Sequence, residues 1–275
     1  MLMCMSLQFK VEDELIPIPI DSLNSFADAS AEEFTGQDDI LINQKNINVY
    51  LNEGNDMIEL IGGVNFVDSG TGNDVHFINN CLNSVYLGRS GYDVWFVDKS
   101  LNSIYLGGNA NDIFEVNGGS GDYYNGEAGN DVFELLSGSG EFLGGGDDDI
   151  FEVSNAIENS LVNGNKGEDF ITGVANIIYR GGKDDDRIVV SQGEVYGDQG
   201  ADTFVGVKGA GYAVIQDFSI EEDQIEIDLD GVWKQIDGGS MFTDNSGEQI
   251  MFLAGIGIEN LILSFGTRPE YIKYT

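Results

Sequence analysis

Residues 126–135 read GEAGNDVFEL, in which a glycine turn and an Asn-Asp pair lead directly into a short alternating apolar stretch. The same arrangement recurs along most of the chain, each time with an aspartate just before the apolar stretch. The ten repeated aspartates are Asp38, Asp56, Asp74, Asp93, Asp112, Asp131, Asp149, Asp169, Asp186 and Asp202. They are spaced 16 to 20 residues apart, and 164 residues cover nine intervals. A sustained repeat of this length predicts a solenoid.

Each period contains a second apolar stretch ahead of its aspartate, such as SVYL at 84–87 and SIYL at 103–106. Two short strands and two tight turns in one period describe one coil of parallel β-structure. Glycine suits the turns because it accepts positive φ. All three prolines (Pro17, Pro19 and Pro269) lie outside the repeat, as expected where every coil donates backbone N–H groups to its neighbour.

We therefore predict an all-β fold: a right-handed parallel β-roll, or β-solenoid, of about ten coils of ~18 residues, with a cap at each end. Residues 1–35 would form the N-terminal cap, in which 21–34, DSLNSFADASAEEF, have helical spacing. Residues 36–207 would form the roll. Residues 208–275 would form a C-terminal β cap, with strands in SMFTD, EQIMFLAG and NLILSFG.

The composition indicates an ordered but very acidic protein. Lys and Arg total 12 against 48 Asp and Glu, which gives a formal net charge of −36, while 41% of the residues are hydrophobic. Such a surface repels nucleic acid and attracts cations. No apolar run approaches the length of a membrane span, and the N-terminal residues lack the pattern of an ordinary signal peptide. Two cysteines, Cys4 and Cys81, do not make a disulfide framework.

The repeated aspartates favour a bound cation. Stacked coils are ~4.8 Å apart, and neighbouring carboxylates at that spacing repel by roughly 1 kcal/mol in water and more at lower dielectric. Glycine turns place backbone carbonyls beside those carboxylates. An all-oxygen donor set suits a hard cation, and Ca²⁺ accepts loose geometry more readily than Mg²⁺. The sequence therefore predicts several Ca²⁺ ions along the aspartate column.

The turns also resemble a known repeat. GRSGYD (88–93), GGNAND (107–112), GEAGND (126–131), GNKGED (164–169) and GDQGAD (197–202) are similar to the first six positions of the calcium-binding nonapeptide of RTX, or haemolysin-type, proteins. The segment 201–229 resembles the one that closes many such rolls. The resemblance implies a parallel β-roll with Ca²⁺ held between turns by the aspartates and turn carbonyls. It also implies a non-enzymatic, secreted protein exported by a type I route.

The chain departs from that family on its second edge. Counting nine residues back from each motif aspartate, only Asp122 supplies an acid, whereas Asn and Ser are common nearby. We predict one calcium edge and one largely metal-free edge, on which stacked amides bond to one another. The asparagines concerned are Asn46, Asn65, Asn83, Asn102, Asn159 and Asn176. Asp122 could support an isolated site.

Two other classes of function stay open. Val75, Phe77, Val94 and Phe96 fall at outward positions and predict an apolar patch, unless inward and outward phases are switched there. A self-assembling surface or matrix protein would use such a patch.

A polysaccharide-active enzyme would use outward carboxylates such as Glu115 and Glu134. Against enzymes with familiar motifs, the lone His76 cannot form a zinc motif, and no G-x-S-x-G elbow is present. Tyrosine recurs in register with the coils, which favours a stack in the core over a sugar-binding site. The tyrosines concerned are Tyr50, Tyr86, Tyr105 and Tyr124.

Overall fold

The computed structural model describes residues 8–11, 14–17, 32–34 and 38–264. Most of the predicted helix in 21–34 lies outside the described residues, as does all of the terminal segment YIKYT. The strands up to residue 109 are β1 Gln8–Val11, β2 Glu14–Pro17, β3 Glu32–Glu33, β4 Ile40–Gln44, β5 Asn48–Tyr50, β6 Met57–Ile61, β7 Phe66–Asp68, β8 Val75–Asn79, β9 Val85–Ser90, β10 Val94–Leu101 and β11 Ile104–Asn109.

The later strands are β12 Ile113–Ala128, β13 Val132–Gly146, β14 Ile150–Ile157, β15 Leu161–Lys166, β16 Phe170–Gly173, β17 Ile178–Lys183, β18 Arg187–Val190, β19 Gly193–Gln199, β20 Thr203–Gly206, β21 Ala213–Ile215, β22 Gln224–Glu226, β23 Gly231–Ile236, β24 Gly239–Asp244 and β25 Gln249–Ala254. One helix follows, α1 Ile258–Ser264. Among the described residues, no helix is long and apolar enough to cross a membrane.

The coils stack as a β-solenoid, which confirms the predicted fold class. Every strand that follows a motif aspartate pairs in parallel with its counterpart one coil later. Phe114, for example, aligns with Trp95 and with Phe133. The strands of the second sheet pair in the same way, as Tyr105 does with Tyr86 and Tyr124. Each side chain therefore stands directly above its equivalent, so every sequence position becomes a column along the roll.

Aromatic side chains fill the interior as two stacks, one from each sheet. Tyr86, Tyr105, Tyr124 and Phe142 stack with ring centroids 4.6 to 5.0 Å apart. Trp95, Phe114, Phe133 and Phe151 form the second stack, with spacings of 4.6 to 5.9 Å. All eight are fully or almost fully buried. The core-stack prediction is thus confirmed for three of the four tyrosines.

Tyr50 is the exception. It aligns with Asp68 and Leu87 in an outward column, and its ring contacts that of Phe66. Val49, not Tyr50, aligns with the inward-facing Tyr86. Tyr50 is one residue further along its strand and therefore lies on the opposite face of the sheet.

Parallel pairing continues past residue 207, since β21 pairs with β19 and β22 with β20. The chain then closes the roll with the antiparallel strands β23, β24 and β25, and β25 pairs with β21. SMFTD and EQIMFLAG are strands as predicted. The strand prediction for NLILSFG is wrong, because residues 260–264 belong to α1. There Ile258 and Leu261, three residues apart on one helical face, pack into the core.

We expect Phe133→Ala to lower the free energy of unfolding by about 3–5 kcal/mol, because it removes a buried ring from the middle of a stack. Phe170→Ala is the matched control, since Phe170 lies on the outer surface at 37% exposure and its truncation leaves no cavity. Urea denaturation of the two variants measures the difference. Equal losses of stability would contradict a core organised around the stacks.

Candidate cation site along the aspartate column

The motif aspartates hold successive coils together through a buried ladder. The Oδ1 atom of each accepts a hydrogen bond from the backbone N–H of the equivalent aspartate one coil earlier, at 2.7 to 3.0 Å. Asp112 N–H, for instance, donates to Asp131 Oδ1. The ladder ends at Asp223, whose Oδ1 accepts from Asp202. From Asp56 to Asp202 the aspartates are 0–2% exposed.

At most coils the residue before the aspartate of the buried ladder forms a second, exposed ladder in the opposite direction. Asn130 Oδ1 accepts from Asp148 N–H on the following coil, as Asn55 does from Asn73. The Asn-Asp pair thus bonds to both neighbouring coils, one side chain toward each.

This geometry corrects the register of the first coil. Asp38 accepts from Asn55 N–H and belongs to the exposed ladder, whereas Asp39 N–H donates to Asp56 Oδ1. Asp39, not Asp38, therefore occupies the buried column. Two adjacent aspartates made the sequence alignment ambiguous by one residue, and the pairing of Ile40 with Met57 resolves it.

The second carboxylate oxygen of these aspartates has no partner. Oδ2 is buried without a hydrogen bond in every motif aspartate from Asp56 to Asp186. A buried carboxylate oxygen that lacks a donor is costly unless a proton or cation compensates it. The column therefore carries a line of uncompensated oxygen acceptors.

A glycine five residues earlier makes room for each Oδ2 in seven coils. A β-carbon on that glycine would stand only 1.8 to 2.3 Å from the Oδ2 atom. The pairs are Gly88 with Asp93, Gly107 with Asp112, Gly126 with Asp131, Gly144 with Asp149, Gly164 with Asp169, Gly181 with Asp186 and Gly197 with Asp202. These glycines do not have positive φ. They are required because a side chain would collide with Oδ2, not because the turn needs a left-handed backbone. The sequence pattern alone did not distinguish these two reasons.

The cleared space also has carbonyl oxygens beside it. A β-carbon on Gly107 would meet Asp112 Oδ2 at 2.2 Å and the Gly126 carbonyl oxygen of the next coil at 2.7 Å. The same pairing of oxygens occurs at Gly88, Gly126, Gly144 and Gly164. Carboxylate and carbonyl oxygens thus converge in repeated cradles, from one coil to the next.

The first coils lack the cradle. Leu51 stands in the glycine position before Asp56, and Ser69 stands there before Asp74. The Ser69 hydroxyl donates to the Leu87 carbonyl and lies 3.3 Å from His76 Nε2. His76 is buried and stacked on Trp95, and burial lowers its pKa to about 3, so it is a neutral core residue. Asp56 and Asp74 are therefore the weakest of the predicted metal ligands.

Burial raises the pKa of every column aspartate from Asp56 to Asp202. The pKa is raised to about 7 for Asp74, Asp93, Asp131 and Asp169, to about 9 for Asp112 and Asp186, to about 10 for Asp149 and to about 6 for Asp202. That of Asp56 is raised as well. Burial is the largest cause in each case, and neighbouring carboxylates add to it at most positions. Near neutral pH, protons or cations bound to the column would offset the cost of burying these carboxylates.

The second edge carries a related ladder with little charge. Ile47 N–H donates to Asn65, Asn65 N–H to Ser84, Ser84 N–H to Ser103, and Ser103 N–H to Asp122. The amide-to-amide ladder is therefore wrong, because these side chains bond to backbone N–H groups. Asn46, Asn83, Asn102 and Asn159 instead occupy left-handed turn positions, with φ of 47–55°. Burial raises the pKa of Asp122, the lone acid there, to about 7.

The donor chemistry of the aspartate edge fits a hard divalent cation. Five cradles, from Gly88 to Gly164, offer Oδ2 together with a glycine carbonyl oxygen, which is the kind of donor that Ca²⁺ prefers. Within residues 38–264 and the shorter described stretches, no three acidic, histidine or cysteine side chains converge as in a compact metal centre. A cation here would use one carboxylate per coil together with backbone oxygens.

The fold and this column define a β-solenoid protein with a buried aspartate ladder. No family model, no curated protein and no solved structure matches the chain in comparisons with known proteins. The resemblance to RTX repeats therefore stays a prediction based on the turn motifs.

We expect Gly144→Ala to destabilise the protein strongly and Gly146→Ala to have little effect. A β-carbon on Gly144 would stand 2.0 Å from Asp149 Oδ2, whereas one on Gly146 would meet only a carbonyl oxygen at 3.7 Å. The loss should be roughly 1–3 kcal/mol, as for an overpacked core. Thermal unfolding of both variants measures it. A Gly144→Ala protein as stable as Gly146→Ala would contradict a tightly packed cradle.

In chelator, we expect stability to fall as pH rises from about 5 to about 9. The folded-state pKa values of the column lie above the usual 3.8, so the folded protein binds more protons than the unfolded chain. The resulting stabilisation is complete below the unfolded pKa and is lost as pH passes the folded values. Melting temperatures measured across this pH range test the dependence of stability on pH, and Asp112→Asn should make that dependence weaker. A melting temperature that rises with pH would contradict it.

Proposed function

We propose that the protein is a non-enzymatic calcium-binding β-solenoid in which Ca²⁺ binds along the aspartate edge and is coupled to folding. The observation that carries the proposal is the row of buried Oδ2 atoms without donors, six of which, from Asp93 to Asp186, lie against a glycine that leaves room for them. A divalent cation bound there would neutralise carboxylates that otherwise require protons. The RTX-like turns support the same assignment.

The residues have distinct parts in this scheme. Oδ1 of each motif aspartate orders the preceding coil by accepting its N–H, while Oδ2 faces the cradle. The glycine admits the ion by having no side chain. We assign the best sites to the seven coils from Gly88–Asp93 to Gly197–Asp202, and the poorest to the coils of Asp39, Asp56 and Asp74.

We also infer that the protein folds and works outside the cell after export by a type I route. The inference rests on the RTX-like motifs and on the need for abundant Ca²⁺ to offset a formal charge of −36. By mass action, each ion would stabilise the folded state by about 2.7 kcal/mol at a concentration 100 times its dissociation constant. The folded state would therefore be less stable at low Ca²⁺ and more stable at high Ca²⁺.

Asp131→Asn separates the roles of the two carboxylate oxygens. The amide keeps an oxygen for the Asp112 N–H but removes the charge, so stability in chelator should be unchanged or higher. The stabilisation by Ca²⁺ should fall by about 2–3 kcal/mol at saturating metal. Circular dichroism and thermal melting during a Ca²⁺ titration, with Mg²⁺ as comparison, measure both quantities.

Asp237→Asn, at an exposed position in the turn before β24, is the matched control for the loss of one charge. It should leave the response to Ca²⁺ intact. A wild-type chain whose melting temperature in chelator does not change on adding Ca²⁺ would overturn the proposal. So would an Asp131→Asn variant with the full calcium response.

A further inference from the structure

A groove on the outer face of the first sheet has a pattern that the aspartate column does not explain. Glu59, Phe77, Phe96 and Glu115 align in register on four successive coils. The two phenylalanine rings stack with centroids 5.0 Å apart and planes 9° from parallel. Phe77 is 37% exposed, which places the predicted apolar patch on the outside and excludes a phase switch at these coils.

The neighbouring column forms the other side of this groove, which has a volume of about 230 Å³. It consists of Ile61, Asn79, Asp98 and Asn117. Asp98 Oδ2 accepts from Asn79 Nδ2 at 3.3 Å and pairs with Lys99 at 3.0 Å. Asp98 Oδ1 is buried and has no hydrogen-bond donor.

We propose that this groove, the Glu59–Glu115 groove, binds an extended basic segment of a partner protein. An aromatic stack between carboxylates favours cationic side chains, which gain from both the ring faces and the carboxylates. The formal charge of −36 would speed the encounter with a basic partner and oppose the approach of a second copy of this chain.

The spacing of the column predicts the sequence of the partner. Glu59 and Glu115 are three coil steps apart, or about 14 Å. In an extended peptide, residues i and i+4 are about 13 Å apart. Basic residues at i and i+4, with an apolar residue at i+2 above the phenylalanines, therefore match the groove when the peptide runs along the roll axis.

The probe is a short labelled peptide containing Lys-Ser-Leu-Ser-Lys, titrated into the full chain at constant salt and constant Ca²⁺ concentration and followed by fluorescence anisotropy. Glu115→Gln should weaken binding about threefold, the value of one surface ion pair. Phe96→Ala should weaken it about tenfold, by loss of apolar and cation–π contact. Both side chains point outward, so circular dichroism should show an unchanged fold.

Two matched controls lie on the same sheet face, outside the groove. Glu152→Gln removes an equivalent charge from the same column, and Phe170→Ala removes an exposed ring from another outward position of the same sheet. Neither should change the affinity. Equal weakening by Glu115→Gln and Glu152→Gln, or equal binding of a peptide with the two lysines placed together, would reduce the interaction to diffuse charge and overturn the proposal. Spermidine binding as tightly as the peptide would replace the partner protein with a small cation.

Discussion

The fold depends on one hydrogen bond repeated from coil to coil, in which a buried aspartate Oδ1 accepts the N–H of the aspartate before it. This bond satisfies the backbone donor of the residue immediately before each strand, outside the strand pairing. It also brings a carboxylate into the interior. The second oxygen, the glycine that faces it and the raised pKa values all follow from that placement.

The aromatic stacks and the aspartate ladder share the same register, and each constrains the other. Phe114, Phe133 and Phe151 can stack only if their coils differ by whole periods, and Asp112, Asp131 and Asp149 can bond only under the same condition. Core packing therefore fixes the spacing of the charges. Relief of their repulsion cannot come from a shift of the coils and must come from bound protons or cations.

The repeat, the coil and most inward positions were predictable, because a period of about eighteen residues and strict alternation act on every coil. Local ambiguities were harder. Asp38 and Asp39 are adjacent acids, and only pairing across coils distinguishes them. Tyr50 matches the later tyrosines in type but lies in the outward phase. The space-making role of Gly144 depends on Asp149, and spacing alone does not distinguish it from a turn glycine.

The buried ladder has a direction, because every aspartate serves the coil before it and relies on the coil after it for its own N–H. Asp223 provides that service to Asp202 from the C-terminal segment that closes the roll. A coil that forms last at the C-terminal end would leave an N–H without an acceptor, whereas one added at the N-terminal end finds its acceptor already in place. The exposed ladder has the opposite direction, since Asn130 accepts the N–H of Asp148 on the following coil. Loss of the C-terminal segment would leave the N–H of Asp202 without its acceptor in the buried ladder, so the segment that closes the roll also completes its hydrogen bonding.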